Sequence, residues 1–441
     1  MEFKLNKDQQ TAFDIIENTN KNVLLCGKPG VGKSVLIRAL TELGRKSYTL
    51  AAPTGLAALN IATEFANAKT LHSLFRLPVS GGIVAPNFNN FTIDDHTLKN
   101  IKYQIKHLII DEISMVRADM FDYIDRLLRF VKDVNLPFGG IQVICIGDFY
   151  QLPPIVQGYE QKQMSEVGYD SPFIFSSKCF DGNFTILTLN EVMRQKGDPK
   201  FIDLLDNART GYMTTKNIGD LNRVVRPADD LTIRLCGINA QADEVNSKFL
   251  SSINAPAFQY IGEKFGEWPA LPVDPQLTLK VGVQVIVKVN AADRPPDYKG
   301  KFISEVVNGT LGKVHEIIKE SEYGELKVII ETIKGALVTI YTKRWERKIK
   351  VFENGQWEEK IVASYVQMPL QLAWAISIHK SQGQSFDKVH IDAAKIFAPG
   401  QLYVALSRCR SMKGLSLQSE VSARKFWANP KVVEFFETIE V

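Results

Sequence analysis

Residues 22–40 read NVLLCGKPGVGKSVLIRAL, and this stretch decides the fold. Residues 23–26 are a short apolar run of buried-strand type, residues 27–34 are rich in glycine, and SVLIRAL then spaces apolar residues as a helix does. Glycines at that point let successive backbone amides curl toward one centre, and the N-terminus of the following helix favours an anion there. GKPGVGKS fits GxxxxGK[ST], a phosphate-binding loop in which Gly27, Pro29, Gly30, Val31 and Gly32 shape the cradle. Lys33 would reach the outer phosphates and the Ser34 hydroxyl would ligate magnesium. An ordinary glycine turn is the plain alternative, and the strand before and the helix after the loop argue against it.

The surrounding chain supports a globular enzyme. It has 441 residues, 45% hydrophobic and 23% charged, enough for two or three domains and unlike a disordered or fibrous composition. A net charge of +4 is compatible with a polyanionic partner without requiring one. Cys26, Cys145, Cys179, Cys236 and Cys409 are scattered, odd in number and form no CxxC pair, so neither a disulfide framework nor a zinc cluster is indicated. The expectation is a soluble protein of a reducing, intracellular compartment, without a membrane span, and more bacterial or viral than organellar.

Further apolar runs at residues 47–51, 107–110 and 142–146 each end in a turn or polar group, and helical spacing follows several of them. That alternation is a parallel α/β sheet with its ligands at the carboxyl ends of the strands. Residues 77–100 break the pattern with Gly, Pro and Asn and read as an inserted loop or hairpin. A second α/β segment is expected from about residue 188, with strands at 232–236 and 283–289. From about 291 to 364 the pattern turns β-rich, with hairpin dipeptides Asn308-Gly309 and Asn354-Gly355, as in a small inserted β-barrel.

Two more strand ends carry chemistry. HLII runs into Asp111-Glu112, where Asp111 would hold magnesium and Glu112 would take a proton from the attacking water. Such a pair alone would read as a helix cap; ending an apolar strand downstream of a phosphate loop, it does not. QVICI runs into GDFYQLPP, whose Gln151 can report a γ-phosphate, since an amide both donates and accepts. A loop packed by its two prolines is the alternative. Phosphoryl transfer also needs cations, and Arg194 in EVMRQ and Arg408 in YVALSRCR are the candidates for reaching across a cleft. Either arginine alone would read as a surface ion pair.

These motifs stand in the order of a superfamily 1 helicase, a resemblance that covers most of the chain. LNKDQQTAF resembles the adenine-reading Q motif, with Gln9 at the matching position. AAPTGLAALN and KTLHSLF resemble motifs that contact single-stranded DNA. LIIDEISM, GDFYQLPP, EVMRQ, ISIHKSQGQSFD and YVALSRCR complete the series. DEISM before MFDYIDRLLR, and WAISIHKSQG with YVALSR, are most similar to the Pif-type DNA helicases of superfamily 1B, with RecD and Dda relatives next.

The resemblance implies two RecA-like parallel-sheet domains driven by ATP and Mg2+. It divides the chain into residues 1–187 with a strand-separating wedge at about 66–102, residues 188–290 plus 365–441, and an accessory β-barrel at 291–364. It implies 5′-to-3′ movement on single-stranded DNA and unwinding of tailed duplexes, with G-quadruplexes among the candidate substrates, in repair, recombination or telomere maintenance. A monomer is expected. By the same resemblance Lys33, Ser34, Asp111, Glu112, Gln151, Arg194, Gln382, Gly383 and Arg408 belong to the ATP site, with Gln9 on the base. Pro53, Thr54, His72, Ser73, His379 and Lys380 fall at DNA-contacting positions. IATEFANAKT departs from the relatives' Gly-Gly step and leaves contacts around residues 60–70 unassigned.

Without the family, the DNA evidence is modest. His72 and Phe75 offer rings for base stacking, and Thr54 and Ser73 offer hydroxyls for phosphates. Taken alone, His72 and His379 read better as structural histidines. Residues 343–350, KRWERKIK, could track phosphates, or could be a solvated strand face in a region of balanced charge. The competing functions are a nucleotide-switched interaction protein indifferent to DNA, a RecD-like motor within a recombination complex, and, less well matched, a small-molecule kinase.

Overall fold

The computed structural model describes residues 4–63, 66, 68–77, 83, 95–191, 197–268, 271–289, 310–319, 326–333, 335–353 and 356–439. The chain forms two compact units, one of residues 1–220, 397–412 and 421–441, the other of residues 221–396 and 413–420.

The first unit is built on six strands: β1 (Asn22–Gly27), β2 (Tyr48–Ala52), β3 (Ala68–Thr70), β4 (His107–Ile110), β5 (Gln142–Gly147) and β6 (Phe184–Leu189). Their order is β3-β2-β4-β5-β1-β6. Every pairing is parallel, with β1 lying between β5 and β6 in continuous register. Strands buried on both faces need apolar residues throughout, and Val23, Leu24, Leu25 and Val143 to Ile146 are all buried. Helices α1 (Lys7–Asn18), α2 (Lys33–Leu43), α3 (Gly55–Ile61), α4 (Leu71–Phe75), α5 (Asp95–Gln104), α6 (Ala118–Lys132), α7 (Gly158–Glu166) and α8 (Pro199–Thr210) accompany the sheet. Leu36, Ile37 and Leu40 of α2 and Ala12 and Ile16 of α1 pack with Leu25, Leu50, Ile109 and Ile144 in one core. In α6, Phe121 meets Phe138 and Phe184 at centroid distances of 5.2 and 6.0 Å. Arg117 forks onto Asp119 and reaches Glu160 at 2.7 Å, fixing the start of α7 to the start of α6.

Helix α9 (Thr215–Asn222) carries the chain toward the second unit, whose parallel sheet is flanked by α10 (Asn239–Ser252). Strand β7 (Ile233–Cys236) opens that sheet. Antiparallel strands follow: β8 (Phe258–Ile261), β9 (Glu263–Phe265), β10 (Gln276–Leu279), β11 (Gln284–Val287), β12 (Leu311–Lys319), β13 (Leu326–Thr332), β14 (Leu337–Tyr341), β15 (Lys343–Glu353), β16 (Gln356–Gln367) and β17 (Leu370–Leu372). Strands β18 (Ala375–Ser377), β19 (Val389–Asp392) and β20 (Leu415–Leu417) complete a parallel sheet of order β18-β7-β19-β20. The first unit then gains α11 (Gln401–Ser407) and α12 (Pro430–Ile439).

The expected strand at residues 283–289 exists as β11, but it pairs antiparallel with β12 and β17 rather than joining the parallel sheet. An apolar run buried on both faces reads alike in either setting, so the sequence could not separate them. The antiparallel region therefore spans Phe258 to Leu372, wider than residues 291–364. Strand β6 extends the first sheet past residue 187, and α8, α11 and α12 also lie in the first unit, so the division falls near residue 220 rather than 188. Of the expected wedge, residues 95–104 form α5, while residues 78–82 and 84–94 lie outside the described residues.

Candidate active site

The phosphate loop leaves the carboxyl end of β1, next to β5, and enters α2 through two left-handed glycines, Gly30 at φ 86° and Gly32 at φ 83°. Gly32 stands at the helix N-cap and offers no side chain, leaving the first amides of α2 available to an anion. At φ 83° the position favours glycine, and a β-carbon there would lie 2.3 Å from Gln9 Nε2 and push that amide off the loop. Lys33 Nζ donates to the loop carbonyls of Gly27 at 2.6 Å and Lys28 at 3.0 Å, holding its charge at the centre of the cradle. Ser34 follows in the first turn, exposed.

Gln9 differs from expectation. Its Nε2 donates to Val31 O and Gly32 O, each at 3.2 Å, and its Oε1 accepts from Asn6 N at 3.0 Å in a capping box. Both ends of the amide thus brace the loop, and reading a base would require exchanging those bonds.

Asp111 and Glu112 end β4 beside the loop. Burial pushes the Asp111 carboxyl up to about 7, with the neighbouring Glu112 charge adding to it and Lys33 opposing it. Two adjacent, half-buried carboxylates suit a cation, and hard oxygen donors suit magnesium. Among the described residues no group of three or more His, Cys, Asp or Glu side chains could hold a metal. Asp111 and Ser34 offer oxygen donors of the kind magnesium takes alongside nucleotide phosphates. Glu112 adopts φ 50°, ψ 43°, a left-handed conformation rare outside glycine and a recurrent mark of working residues. Gly147, ending β5, would place a β-carbon 2.9 Å from Ile113, so its lack of a side chain lets the two strand ends approach.

Gln151 is buried and its Oε1 has no hydrogen-bond partner. A buried acceptor left unmatched is costly, and a donor from a bound nucleotide's water or another group would satisfy it. Arg408 follows α11 and is 3% exposed. Its Nε donates to Val404 O at 3.0 Å and its Nη2 to Ser407 Oγ at 2.8 Å. Burial lowers its pKa, and the first opposing influence is the charge of Glu112, which places the guanidinium within the field of that carboxylate. Within this unit Lys33 and Glu112 bear on Asp111 and Glu112 bears on Arg408, with Ser34 next to Lys33 in the chain and Gln151 buried four residues past β5. Arg194 lies outside the described residues. Gln382, in the second unit, is buried with both amide atoms unpartnered, next to Gly383 at φ 73°.

The expected DNA-contacting residues divide. Phe75 is fully buried and cannot stack on a base: α4 turns it into the core, and the sequence showed its ring but not its face. Thr54 caps α3, accepting from Ala57 N at 3.2 Å, with Pro53 half-buried before it. His72 is half-buried; burial lowers its pKa and Arg117 lowers it further. Ser73 is exposed. In the second unit, His379 is half-buried with its pKa likewise lowered by burial, and Lys380 is exposed. Trp345 of the basic stretch stacks on the buried Tyr365 at 5.9 Å. The pKa of Lys288 is lowered by burial first and by Lys380 second, so the two cations lie near one another. Sequence reasoning left Asp148 unassigned, although an acid directly after a wholly apolar strand was a visible signal.

A family model described as PIF1-like helicase matches residues 4–219. The ATP-dependent DNA helicase Pif1 of Bdellovibrio bacteriovorus is 30% identical over 449 residues, covering 100% of this chain and 93% of its own. The ATP-dependent DNA helicase PIF1 of Danio rerio is 32% identical over 454 residues, covering 99% of this chain; this chain spans 64% of that relative and 54% of the one from Candida albicans. Two solved structures of Pif1 from Bacteroides are 31% identical and cover 100% of this chain and 98% of theirs. One, in complex with ADP-AlF4, has a TM-score of 0.82; the other, bound to ssDNA, has 0.73.

Proposed function

The chain belongs to the PIF1-like helicase family, and on that premise we propose that it is an ATP-driven DNA helicase that moves 5′-to-3′ on single-stranded DNA and opens tailed duplexes. The observation that carries the reading is the convergence, in the first unit, of the Lys33 cradle, the Asp111-Glu112 pair, the unpartnered Gln151 amide and the buried Arg408.

In this reading Lys33 exchanges its loop carbonyls for β and γ phosphate oxygens. Ser34 and Asp111 would hold magnesium, which would supply neutralisation of phosphate charge. Glu112 accepts the proton of the attacking water, aimed by its left-handed backbone. Gln151 donates its Nε2–H to a γ-phosphate oxygen, while its unmatched Oε1 accepts from the attacking water, and so distinguishes triphosphate from diphosphate. Arg408 meets charge that develops on the transferring group, with Arg194 and Gln382 assigned to the same task through the family resemblance. DNA contacts fall to Thr54, His72 and Ser73 in one unit and His379 and Lys380 in the other. Forked and G-quadruplex DNA are the structured substrates we would test first, with the chain acting as a monomer in an intracellular compartment. In one related structure two Pif1 helicases coordinate at forked dsDNA, so assembly on the substrate belongs in that test.

The deciding experiment is ATP-dependent unwinding of one duplex bearing either a 5′ or a 3′ single-stranded tail, with Lys33→Ala as control. Opening only from the 5′ tail, lost in the control, is the expected result. Opening only from the 3′ tail removes the polarity; ATP turnover indifferent to DNA removes the motor and leaves a nucleotide switch.

A further inference from the structure

Asp148 is wholly buried, one residue past β5. Its Oδ1 accepts from Arg209 Nε at 3.2 Å, Arg209 Nη2 at 3.1 Å and Tyr150 N at 3.2 Å, and its Oδ2 accepts from the Tyr403 hydroxyl at 3.0 Å. The Arg209 guanidinium carbon lies 4.1 Å from the centroid of the Tyr150 ring, which stacks on Phe436 at 5.3 Å. Gln151 N donates back to Asp148 O at 3.0 Å. Residues 148–151 are therefore a tight turn gripped by α8, α11 and α12, and the residue it presents is the one whose amide oxygen is buried and unmatched.

We propose that Arg209 is a positioning residue that sets Gln151 against the γ-phosphate, acting through Asp148 and Tyr150. The inference rests on the reading of Gln151 as the triphosphate sensor. A buried ion pair is poor evidence for stability, because apolar residues of like volume hold a fold as well or better; its attested use is to specify one geometry among several. Here the geometry specified is the backbone turn ahead of Gln151. A planar fork meeting one carboxylate oxygen with two donors while stacking on the next aromatic ring fixes distance and orientation together, which a lysine could not. Tyr403, on the helix that leads to Arg408, holds the other carboxylate oxygen, so the sensor and the arginine share one buried anion. Neither Asp148 nor Arg209 needs to touch nucleotide for this.

The test compares the affinity of the full chain, with magnesium, for ADP and for a non-hydrolysable ATP analogue, and reads their ratio, which does not depend on the fraction of active protein. Gln151→Ala should abolish the preference for triphosphate. Arg209→Gln should reduce it about tenfold, the worth of one charge-assisted hydrogen bond, with ADP affinity held within about twofold. Arg209→Lys should restore part of it, and the double variant should be no worse than Gln151→Ala alone. Should Arg209→Gln fail to fold, Tyr403→Phe, which deletes one hydroxyl, carries the same comparison. An unchanged ratio in the Arg209 and Tyr403 variants, or equal loss of both nucleotides, overturns the inference while leaving Gln151 its role. An unchanged ratio in Gln151→Ala overturns both.

Discussion

Gly400→Ala is the perturbation whose cost the structure sets most directly. Gly400 is the N-cap of α11 at φ 70°, ψ −7°; its N–H donates to Trp427 O at 3.0 Å and its carbonyl accepts from Val404 N at 2.8 Å. A left-handed backbone costs a residue with a β-carbon about 1–2 kcal/mol. The added carbon would stand 2.2 Å from Tyr150 O and 3.0 Å from Gln151 O, both backbone atoms that cannot swing aside. Carbon and carbonyl oxygen meet comfortably at about 3.3 Å, so the helix start must retreat by roughly 1 Å, an overpacking worth about 1–3 kcal/mol. Together these give a loss of about 2–5 kcal/mol. Gly282→Ala is the matched control: φ is 90° and no atom lies within 4 Å, so only the backbone term applies. The retreat also travels down α11, roughly 12 Å at the helical rise, to Arg408, where a 1 Å misplacement can reduce turnover about 100-fold. Urea unfolding of both variants and steady-state ATP hydrolysis are the assays. Gly400→Ala no less stable than Gly282→Ala, with ordinary turnover, would refute the packing argument.

Glu112→Gln should bind ATP and magnesium yet hydrolyse poorly, whereas Lys33→Ala should lose turnover with its unfolding midpoint unchanged; full ATPase activity in Glu112→Gln would remove the proton-acceptor role. Phe75→Ala should cost about 3–5 kcal/mol of stability as a cavity mutant, and a pure loss of DNA affinity without destabilisation would contradict its burial. Lys288→Ala and Lys380→Ala should each weaken single-stranded DNA binding and flatten its log–log salt dependence by about 0.7, read by fluorescence anisotropy across a salt series. His390 is buried and bonded to Ser416 and Gln418, and burial chiefly lowers its pKa below the ordinary value of 6.5. Its neutral form is the stabilising one, present above that value and lost as pH falls through it. Unfolding stability should therefore decline from pH 7 to 5.5 more steeply in the parent than in His390→Asn.

The parallel first sheet was legible because each of its central strands is an apolar run ended by the residues that do chemistry. The second unit was less so: β11 is as apolar as a parallel strand, and the sequence holds no mark of which neighbour it will pair with. The phosphate loop and the acidic pair ending β4 were readable from local order alone. The Asp148, Arg209 and Tyr403 cluster was not, because Arg209 and Tyr403 stand 61 and 255 residues from the acid and nothing in local order pairs them with it. Gln9 shows the converse: its motif was plain, but the bonds from its amide to Val31 O and Gly32 O come to light only in the folded chain.

The second unit interrupts the first between residues 220 and 397, and this has a consequence for synthesis. By residue 189 all six strands of the first sheet have been made, with Asp148 already among them. Its partner Tyr403 emerges some 200 residues later, roughly 10–40 s at ordinary ribosomal rates. Phe149 and Phe175 wait longer still for Phe435, which stacks on Phe175 at 4.3 Å. During that interval the nascent first unit holds Asp148 with Arg209 but with its second carboxylate oxygen unmatched, beside an uncovered aromatic face, the kind of surface that chaperones retain and proteases find. A ribosome stalled anywhere within the second unit would hold the protein in that state, so residues 397–412 and 421–441 act as the seal that ends its exposure to quality control.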